Sequence, residues 1–379
     1  MMELSNGDFL GSSLDHSNPT LIRFDKNGNV LSASEYMVQN KFRNVFDQLI
    51  ETQDGGFLAA GLSFKDPIVV KFNSTGIPEW QIVIPGKFRI YSIAQTQDGY
   101  LAVGSQNRTN SVQSDAWIIK LNRTGRVVWS KILEQDNNVD RFQFVKQARD
   151  GSYIVVGTLA DFATNPDPKM IVAKLDAQGK LIWNNTYSYN EPFPVQITAA
   201  TVTPTEGLVL VGRIGASAVV IKVGSAGGIH WAKTFENRPH DLSLEYVVRT
   251  RDGGYVAAGT SDQYRGPDNR GLLLKVDPFG KLLWSRRTSA QLFSVDQTQD
   301  NGFIVSALGV GIYGIMKTDE RGFIPNCRLL RRFPLSGSTL QVERHTNAEL
   351  NLKSVNSQSQ SITISTKKIS SVTGDDQCN

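Results

Sequence analysis

A ten-residue unit, KFNSTGIPEW at Lys71–Trp80, recurs along the chain and constrains its fold more than any other feature. In this unit a basic residue is followed five positions later by glycine, and four positions after that by tryptophan. The same spacing returns at Lys120/Gly125/Trp129, Lys174/Gly179/Trp183, Lys222/Gly227/Trp231 and Lys275/Gly280/Trp284. Two degenerate copies bracket these five, with Arg23/Gly28/Ser32 before them and Lys317/Gly322/Asn326 after them. Seven copies spaced 42 to 54 residues apart predict a repeat architecture.

Each unit is preceded by a second hairpin signal, most complete at Thr52–Gly61 (TQDGGFLAAG) and Thr250–Gly259 (TRDGGYVAAG). An Asp-Gly pair between alternating apolar runs is typical of a tight β-hairpin. Each repeat therefore contains four short antiparallel strands, here named a, b, c and d. No amphipathic helical stretch is evident, so the sequence predicts an all-β, seven-bladed β-propeller over residues 1–328.

The repeat pattern ends after Cys327, and residues 329–379 form a polar C-terminal tail. The tail is rich in Ser, Thr, Asn and Gln and contains three weak alternating runs. One of them, TLQVERHT, could complete the first blade, whose strand a is almost absent from the N-terminal sequence. The tail could equally lie across one face of the propeller.

Composition excludes several classes of protein. The chain is 40% hydrophobic and 20% charged, which is typical of a soluble globular protein, and its net charge of +4 comes from interspersed charges. Neither a nucleic acid partner nor an anionic membrane is therefore expected. No apolar run is long enough for a transmembrane helix. The start, MMELSNGDFL, does not resemble a signal peptide, but it begins inside a repeat, so an upstream segment remains open.

The combination of the TxDGG[FY] hairpin with the KLDxxGxxxW hairpin resembles a family of bacterial and archaeal repeat propellers, mostly exported. The resemblance covers residues 1–328. The second hairpin alone, as in AKLDAQGKLIW, is also similar to the repeat of pyrroloquinoline-quinone dehydrogenases and of the outer-membrane assembly propeller. The resemblance implies the fold more than a function, because propellers host unrelated activities, and it transfers no catalytic residue.

A basic residue in each strand c and an acid in each a–b turn favour a structural role. We predict a repeated ion pair that pins one hairpin to another, although a ring of seven cations could instead bind an anion. If the acid is buried, Lys174→Met should cost about 3 kcal/mol. The cations are Arg23, Lys71, Lys120, Lys174, Lys222, Lys275 and Lys317. The acids are Asp8, Asp54, Asp98, Asp150, Glu206, Asp252 and Asp300.

The strand-d tryptophans stand at an equivalent place in five repeats. Large flat side chains in such positions predict packing of one blade against the next. They are Trp80, Trp129, Trp183, Trp231 and Trp284.

Motifs for catalysis or for a cofactor are weak. A quinone site would need calcium ligands and usually a vicinal disulfide, and the two cysteines lie far apart. The GxGxxG at Gly309–Gly314 precedes a predicted strand, whereas a dinucleotide site requires a helix. The four histidines show no metal-ligand spacing. Acid clusters at Asp136/Asp140 and Asp262/Asp268 could hold calcium, but solvated loop acids explain them as well. We therefore expect no catalytic residue, no metal and no cofactor.

The loops differ between the two sides of the predicted propeller. The a–b and c–d turns are nearly uniform in length, whereas the b–c and d–a connections vary widely, as binding loops on a rigid scaffold do. The varied side carries Arg and Tyr residues, the types enriched in binding hot spots, although they could be ordinary surface residues. They are Arg89, Arg108, Arg141, Tyr187, Tyr189, Arg238, His240, Tyr264 and Arg265. We expect a non-catalytic module that binds a protein partner here. The alternatives are a carbohydrate-binding lectin and an enzyme with a site at the mouth of the channel.

The resemblance also implies a disulfide between Cys327 and Cys378. In the similar family a Pro-x-Cys ending of the last blade is followed by a polar tail with its own late cysteine, and Ile324–Cys327 fits this pattern. Such a bridge would favour an oxidising compartment and an exported protein, periplasmic, on the cell surface or extracellular. Two unrelated thiols in a cytosolic protein are the alternative.

Overall fold

The computed structural model describes residues 2–13, 18–26, 29–38, 44–63, 66–108, 113–133, 139–161, 165–189, 195–263, 270–309, 312–324, 330–346, 352–354, 360–361 and 364–368. Every regular element in these ranges is a β-strand. This part of the chain contains no helix with the length and apolar character needed to cross a membrane. The fold predicted from the sequence is confirmed, because consecutive groups of strands form the antiparallel sheets of a seven-bladed β-propeller.

Contacts divide the chain into two compact units, one comprising Met2–Thr186 and His345–Val372, the other built on Tyr187–Arg344. Blades 1 to 3 lie in the first unit. Blade 1 contains β1 (Met2–Glu3), β2 (Phe9–Ser13), β3 (Thr20–Phe24) and β4 (Val30–Val38). Blade 2 contains β5 (Asn44–Glu51), β6 (Phe57–Ser63), β7 (Asp66–Phe72) and β8 (Pro78–Val83). Blade 3 contains β9 (Phe88–Thr96), β10 (Gly99–Asn107), β11 (Ser114–Asn122) and β12 (Val127–Leu133).

Blades 4 to 7 continue the series. Blade 4 contains β13 (Arg141–Gln147), β14 (Tyr153–Asp161), β15 (Asn165–Leu175) and β16 (Leu181–Tyr189), and blade 5 contains β17 (Val195–Val202), β18 (Leu208–Ile214), β19 (Ser217–Val223) and β20 (Ile229–Glu236). Blade 6 contains β21 (His240–Arg249), β22 (Tyr255–Gln263), β23 (Gly271–Val276) and β24 (Leu282–Thr288). Blade 7 contains β25 (Gln291–Gln297), β26 (Phe303–Gly309) and β27 (Ile312–Thr318). Within the described residues blade 7 has three strands.

The same register recurs from blade to blade. In blades 2, 3, 5 and 6 the strand-c cation stands opposite the tryptophan, as in Lys71↔Trp80, and the register shifts just after it. Strand a has a β-bulge opposite the glycine that follows the small apolar residues of strand b, as at Gly104 in blade 3. A Cβ atom added at Gly104 would lie 1.6 Å from the carbonyl oxygen of Arg89, so only glycine allows this approach.

The apolar core lies between neighbouring blades. One cluster joins Leu58 and Ile82 of blade 2 to Trp117 and Ile119 of blade 3, and equivalent clusters join blades 5 and 6 and blades 6 and 7. In blades 2, 3 and 6 these residues alternate along their strands with residues that face the other neighbour, so these sheets are covered on both faces. Burial on both faces explains the continuous apolar runs of strands b and c.

The tail adds a strand to the first blade, but the run TLQVERHT does not supply the strand a that it was expected to provide there. Its short strands add a fifth strand to six sheets, each beside strand d, and they visit the blades in reverse order. They are β28 (Arg331–Arg332) on β24, β29 (Ser336–Thr339) on β20, β30 (Val342–Thr346) on β16, β31 (Leu352–Ser354) on β12, β32 (Gln360–Ser361) on β8 and β33 (Ile364–Lys368) on β4. The run TLQVERHT thus joins blade 4, and blade 1 takes its strand a from Met2–Glu3. A polar segment can dock this way because edge strands offer unpaired N–H and C=O groups.

Candidate functional site

The cations of strand c meet the acids of the a–b turns in six repeats of the described chain. The closest N–O distances are 2.8 Å for Arg23–Asp8, 2.9 Å for Lys71–Asp54, 2.6 Å for Lys120–Asp98, 2.7 Å for Lys174–Asp150, 2.5 Å for Lys275–Asp252 and 2.8 Å for Lys317–Asp300. Each pair joins strand c to the turn between strands a and b, as the sequence predicted. The cations are therefore individually paired and do not form a free anion-binding set.

Burial within these pairs is the reverse of the expected one. The side chains of Lys71 and Lys120 are 2% exposed, whereas those of Asp54 and Asp98 are 58% and 71% exposed. For Lys174 and Asp150 the exposed fractions are 21% and 56%. The premise that Lys174→Met would leave a buried acid unpaired is wrong, since water can solvate the carboxylate. The lysine is the partner that depends on the pair.

Hydrogen bonds hold the turn carboxylates in their ionised form. Donation from Lys174 and Ser152 lowers the pKa of Asp150 to about 2. Donation from Lys317 and Thr298 does the same for Asp300, whose pKa is also about 2. At neutral pH these carboxylates are charged and engaged, so they are poor candidates for acid–base chemistry.

Blade 5 breaks the pattern, and the sequence-based match of Lys222 with Glu206 is wrong. The turn hydrogen bond from Glu206 N to Thr203 O corresponds to that from Gly55 N to Thr52 O, so Glu206 occupies the glycine place, with φ +61°. The aspartate place holds Thr205, whose hydroxyl lies 3.2 Å from that of Thr203. Lys222 instead donates to the carbonyl oxygen of Pro278 at 3.1 Å. Burial and the nearby Arg249 lower its pKa.

The strand-d tryptophans pack against the c–d turn of the next blade. A Cβ atom added at Gly125 would lie 2.7 Å from the Trp80 ring. The same distance is 2.8 Å for Gly179 and Trp129, 2.9 Å for Gly280 and Trp231, and 2.8 Å for Gly322 and Trp284. The indole nitrogen donates to the carbonyl two positions before that glycine, at 2.9 Å for Trp80 to Arg123. The equivalent distances are 3.2 Å for Trp129 to Ala177 and 3.1 Å for Trp231 to Pro278. Trp183 is half-buried in β16.

The junction of blades 1 and 2 lacks this ring. Arg23 stands opposite Ser32, in the register that Lys71 and Trp80 occupy, so serine replaces tryptophan. A cavity of about 210 Å³ lies there, lined by Leu4, Leu21, Phe57, Ser32, Ser74 and Gly76 among others. A Cβ atom added at Gly76 would meet only the Tyr36 hydroxyl, at 3.4 Å. The sequence contained the signal, since Ser32 breaks the tryptophan series.

Two of the residues predicted to bind a partner have exposed side chains. Arg238 is 84% exposed in the d–a connection between blades 5 and 6, with Nε 3.7 Å from Glu236. Arg89 is exposed on β9, with its guanidinium 5.9 Å from the centroid of the Tyr91 ring. Both side chains are accessible to solvent, and their role in binding stays a prediction.

Three other residues of that set have contacts within the protein. Tyr187 is fully buried and donates to the carbonyl oxygen of Gly227 at 2.7 Å, so its prediction as a partner contact is wrong. An aromatic residue in a strand-d core position is not distinguishable by sequence from a surface one. Arg108 pairs with the buried Asp115 at 2.6 Å. Tyr189 is half-buried, and burial raises its pKa.

Arg141 and His240 begin strand a in their blades. Arg141 is half-buried, and within the described part of the chain its Nε has no hydrogen-bond partner. The His240 ring centroid lies 5.4 Å from that of Phe333, and Arg287 lies 3.4 Å from its Nδ1. Burial, Arg287 and Arg270 lower the pKa of His240, so this imidazole is neutral at pH 7.

Some predicted residues lie outside the described residues. These are Tyr264, Arg265, Cys327 and Cys378, together with Asp136 and Asp268 of the possible calcium clusters. Within the ranges that the structure covers, no group of three or more His, Cys, Asp or Glu side chains is placed to hold a metal ion.

Comparison with known proteins shows no family for this chain. No protein family matches the sequence, and no curated protein matches it. Among solved structures the chain is similar to Drosophila Plexin A in complex with Semaphorin 1b, at 10% identity and a TM-score of 0.48, over 84% of this chain and 86% of that one. It is also similar to puromycin hydrolase, at 12% identity and a TM-score of 0.44, over 82% of this chain. The match spans about half, 50%, of the puromycin hydrolase chain.

Proposed function

We propose that this protein is a non-catalytic interaction module, which binds a protein partner through its b–c and d–a connections. The observation that carries the proposal is the asymmetry of the loops. The a–b and c–d turns are five residues long, as at 52–56 and 73–77, with only 97–98 and 123–126 shorter among them. The connections at the opposite strand ends range from two residues, at 215–216, to seven, at 134–140. Variable loops on a rigid scaffold are where binding usually evolves.

The chemistry of the two strand ends supports the same assignment. At the a–b end the carboxylates are engaged with lysines, and the tryptophans cover the c–d turns, so these residues maintain the blades. At the b–c and d–a end Arg238 projects into solvent, and arginine is among the residues that most often dominate protein interfaces. A planar, permanently charged guanidinium favours partners that present carboxylates.

Two exposed side chains of the second unit allow a matched test. Arg238 lies in a d–a connection, and Phe279, which is 78% exposed, lies in the c–d turn 277–281 at the opposite strand ends. A partner captured by cross-linking in the source organism would be purified, and its Kd measured against both variants. Arg238→Ala should weaken binding at least tenfold, whereas Phe279→Ala should leave the Kd unchanged.

The reverse result, with Phe279→Ala weakening binding and Arg238→Ala neutral, would assign binding to the a–b and c–d turns instead. Saturable binding of a glycan without any protein partner would favour a lectin. Both variants must show the wild-type melting temperature, so that lost binding is not lost folding.

An exported location belongs to the same proposal, supported by the resemblance to exported repeat propellers. It depends on the predicted bridge between Cys327 and Cys378. Intact mass with and without reductant, measured on protein from its native compartment, tests it. Two free thiols there would contradict both the bridge and the location.

A further inference from the structure

We propose that the junction of blades 1 and 2 binds a neutral planar aromatic ring of indole size, in the space that a tryptophan fills at other junctions. Arg23↔Ser32 occupies the register of Lys71↔Trp80 and Lys120↔Trp129, and Gly76 takes the place of Gly125 and Gly179 in the facing turn. The fold therefore forms at this junction the space for a tryptophan ring, but the sequence has Ser32 in the tryptophan position.

The size of the cavity fits two fused rings. Its volume is about 210 Å³. A cavity of about 150 Å³ lined by apolar side chains is known to bind benzene. At the occupied junctions the tryptophan ring lies so close to the turn glycine that no Cβ fits between them, at 2.7 Å for Gly125 and 2.8 Å for Gly179. The Gly76 α-carbon presents the same flat surface to the cavity, with only the Tyr36 hydroxyl near it.

The walls combine apolar and polar groups in the way that a ring with one polar atom requires. Leu10, Leu21 and Phe57 supply apolar contact, and Ser32 and Ser34 supply hydroxyl groups. The Ser74 carbonyl stands where the carbonyls of Arg123 and Ala177 accept the indole N–H at the occupied junctions. It already accepts from Arg23 Nη1 at 3.1 Å, and a carbonyl oxygen has a second lone pair for a ring N–H.

The charged groups of the lining favour a neutral ligand. Arg23 is neutralised by Asp8, with Nη2 2.8 Å from Oδ2. Glu51 accepts hydrogen bonds from the backbone N–H of Ser5, at 3.0 Å, and from its hydroxyl, at 2.7 Å. Both groups are thus engaged by other residues of the protein itself. Shape and apolar contact therefore determine what binds.

The ring could be a free small molecule or a tryptophan side chain of another chain, and two probes distinguish these sources. Indole and the peptide acetyl-Gly-Trp-Gly-amide would each be titrated into the full-length protein, with binding followed by the melting temperature and by NMR shifts of the ligand. Saturable binding of indole alone assigns the site to a small molecule. Binding of the peptide as well shows that the cavity admits a side chain carried on a backbone.

Substitutions then locate the binding. Ser32→Trp should fill the cavity, raise the melting temperature and abolish the response to indole. Ser32→Leu, which fills less of the space, should weaken binding without abolishing it and remains informative if the tryptophan variant does not fold. Trp129→Ser is the matched control, because it should open an equivalent cavity at another junction, lower the melting temperature and gain a second indole site.

The proposal is overturned if wild-type protein shows no saturable response to millimolar indole, since the cavity then holds only water. It is also overturned if indole binds equally well to the wild type and to folded Ser32→Trp or Ser32→Leu, because the binding would then lie elsewhere.

Discussion

The ion pair of Lys120 with Asp98 should be asymmetric in its contribution to stability, so that losing the acid costs more than losing the lysine. The Lys120 side chain is 2% exposed, and its Nζ contacts Asp98 Oδ1 and Thr96 Oγ1, both at 2.6 Å. Asp98→Ala leaves the buried ammonium with only neutral acceptors. Lys120→Met leaves a carboxylate that is 71% exposed and is readily solvated.

The expected magnitudes follow from this difference. Breaking a fully buried pair by removing one partner costs about 3–5 kcal/mol. Because Asp98 opens to solvent, water can replace part of the lost interaction, and we expect about 2–3 kcal/mol for Asp98→Ala. Lys120→Met removes the buried charge, so we expect about 1 kcal/mol or less. For a chain of this length the larger value corresponds to a fall in melting temperature of roughly 3 °C.

Calorimetry at pH 7 on the wild type, both single variants and the double variant would measure these effects. The double variant should be about as stable as Lys120→Met, because Asp98 loses its ion-pair partner once the Lys120 ammonium is removed. A Lys120→Met variant that is less stable than Asp98→Ala would refute the reasoning, and the acid would then be the partner that needs the pair.

Blade 5 supplies the reverse experiment, because Lys222 has no aspartate at the equivalent place. Thr205→Asp should give Lys222 an ion pair of the kind seen at Lys120, and so raise both the pKa of that lysine and the melting temperature. A Thr205→Asp variant that is no more stable than the wild type would show that the pairs add little to stability.

Three further predictions concern the turns and the tail. Gly55 and Gly125 have positive φ values of 76° and 78°, but only a Cβ atom at Gly125 would overlap a tryptophan ring. Gly125→Ala should therefore lower the free energy of unfolding by at least about 1 kcal/mol more than Gly55→Ala does. Urea denaturation of both variants would measure this difference. The low pKa of Asp150 stabilises the folded state above pH 4, so the advantage of the wild type over Asp150→Asn should shrink as pH falls from 4 to 2 in parallel melting curves; an unchanged difference would contradict it. Deleting residues 329–379 should uncover the strand-d edges and cause aggregation on warming, visible by light scattering, and a truncated protein as soluble as the full chain would contradict this.

The repeats made the fold predictable, because the spacing of Lys71, Gly76 and Trp80 encodes one hairpin and its packing at once. The place of an acid within a turn was harder to predict. Glu206 was matched to the aspartates because it is the acid of its turn, but its backbone occupies the glycine place, as its hydrogen bond to Thr203 shows. The binding role assigned to Tyr187 failed for a related reason, since sequence alone does not show which tyrosine of strand d is buried.

The tail escaped prediction for another physical reason. Its segments dock by backbone hydrogen bonds along strand edges, and such pairing leaves little trace in side-chain pattern, as the fully exposed strand Ser336–Thr339 shows. The position of the cavity, by contrast, has a sequence signal, because Ser32 replaces the tryptophan of the repeat. Its meaning required the structure, which shows that the missing ring is not replaced by another side chain of the same size.

The reverse course of the tail has a consequence for synthesis on the ribosome. Ile364 pairs with Val38, so the outer strand of the first blade is made only after all seven blades. At about 5–20 residues per second, the strand-d edges of early blades wait tens of seconds for their final partner. Lysines on strand d of blades 3 and 5, Lys131 and Lys233, place charge along such edges, and charge there discourages pairing with a neighbouring nascent chain. The strand-d edges of the blades are thus closed only after the tail itself has been translated.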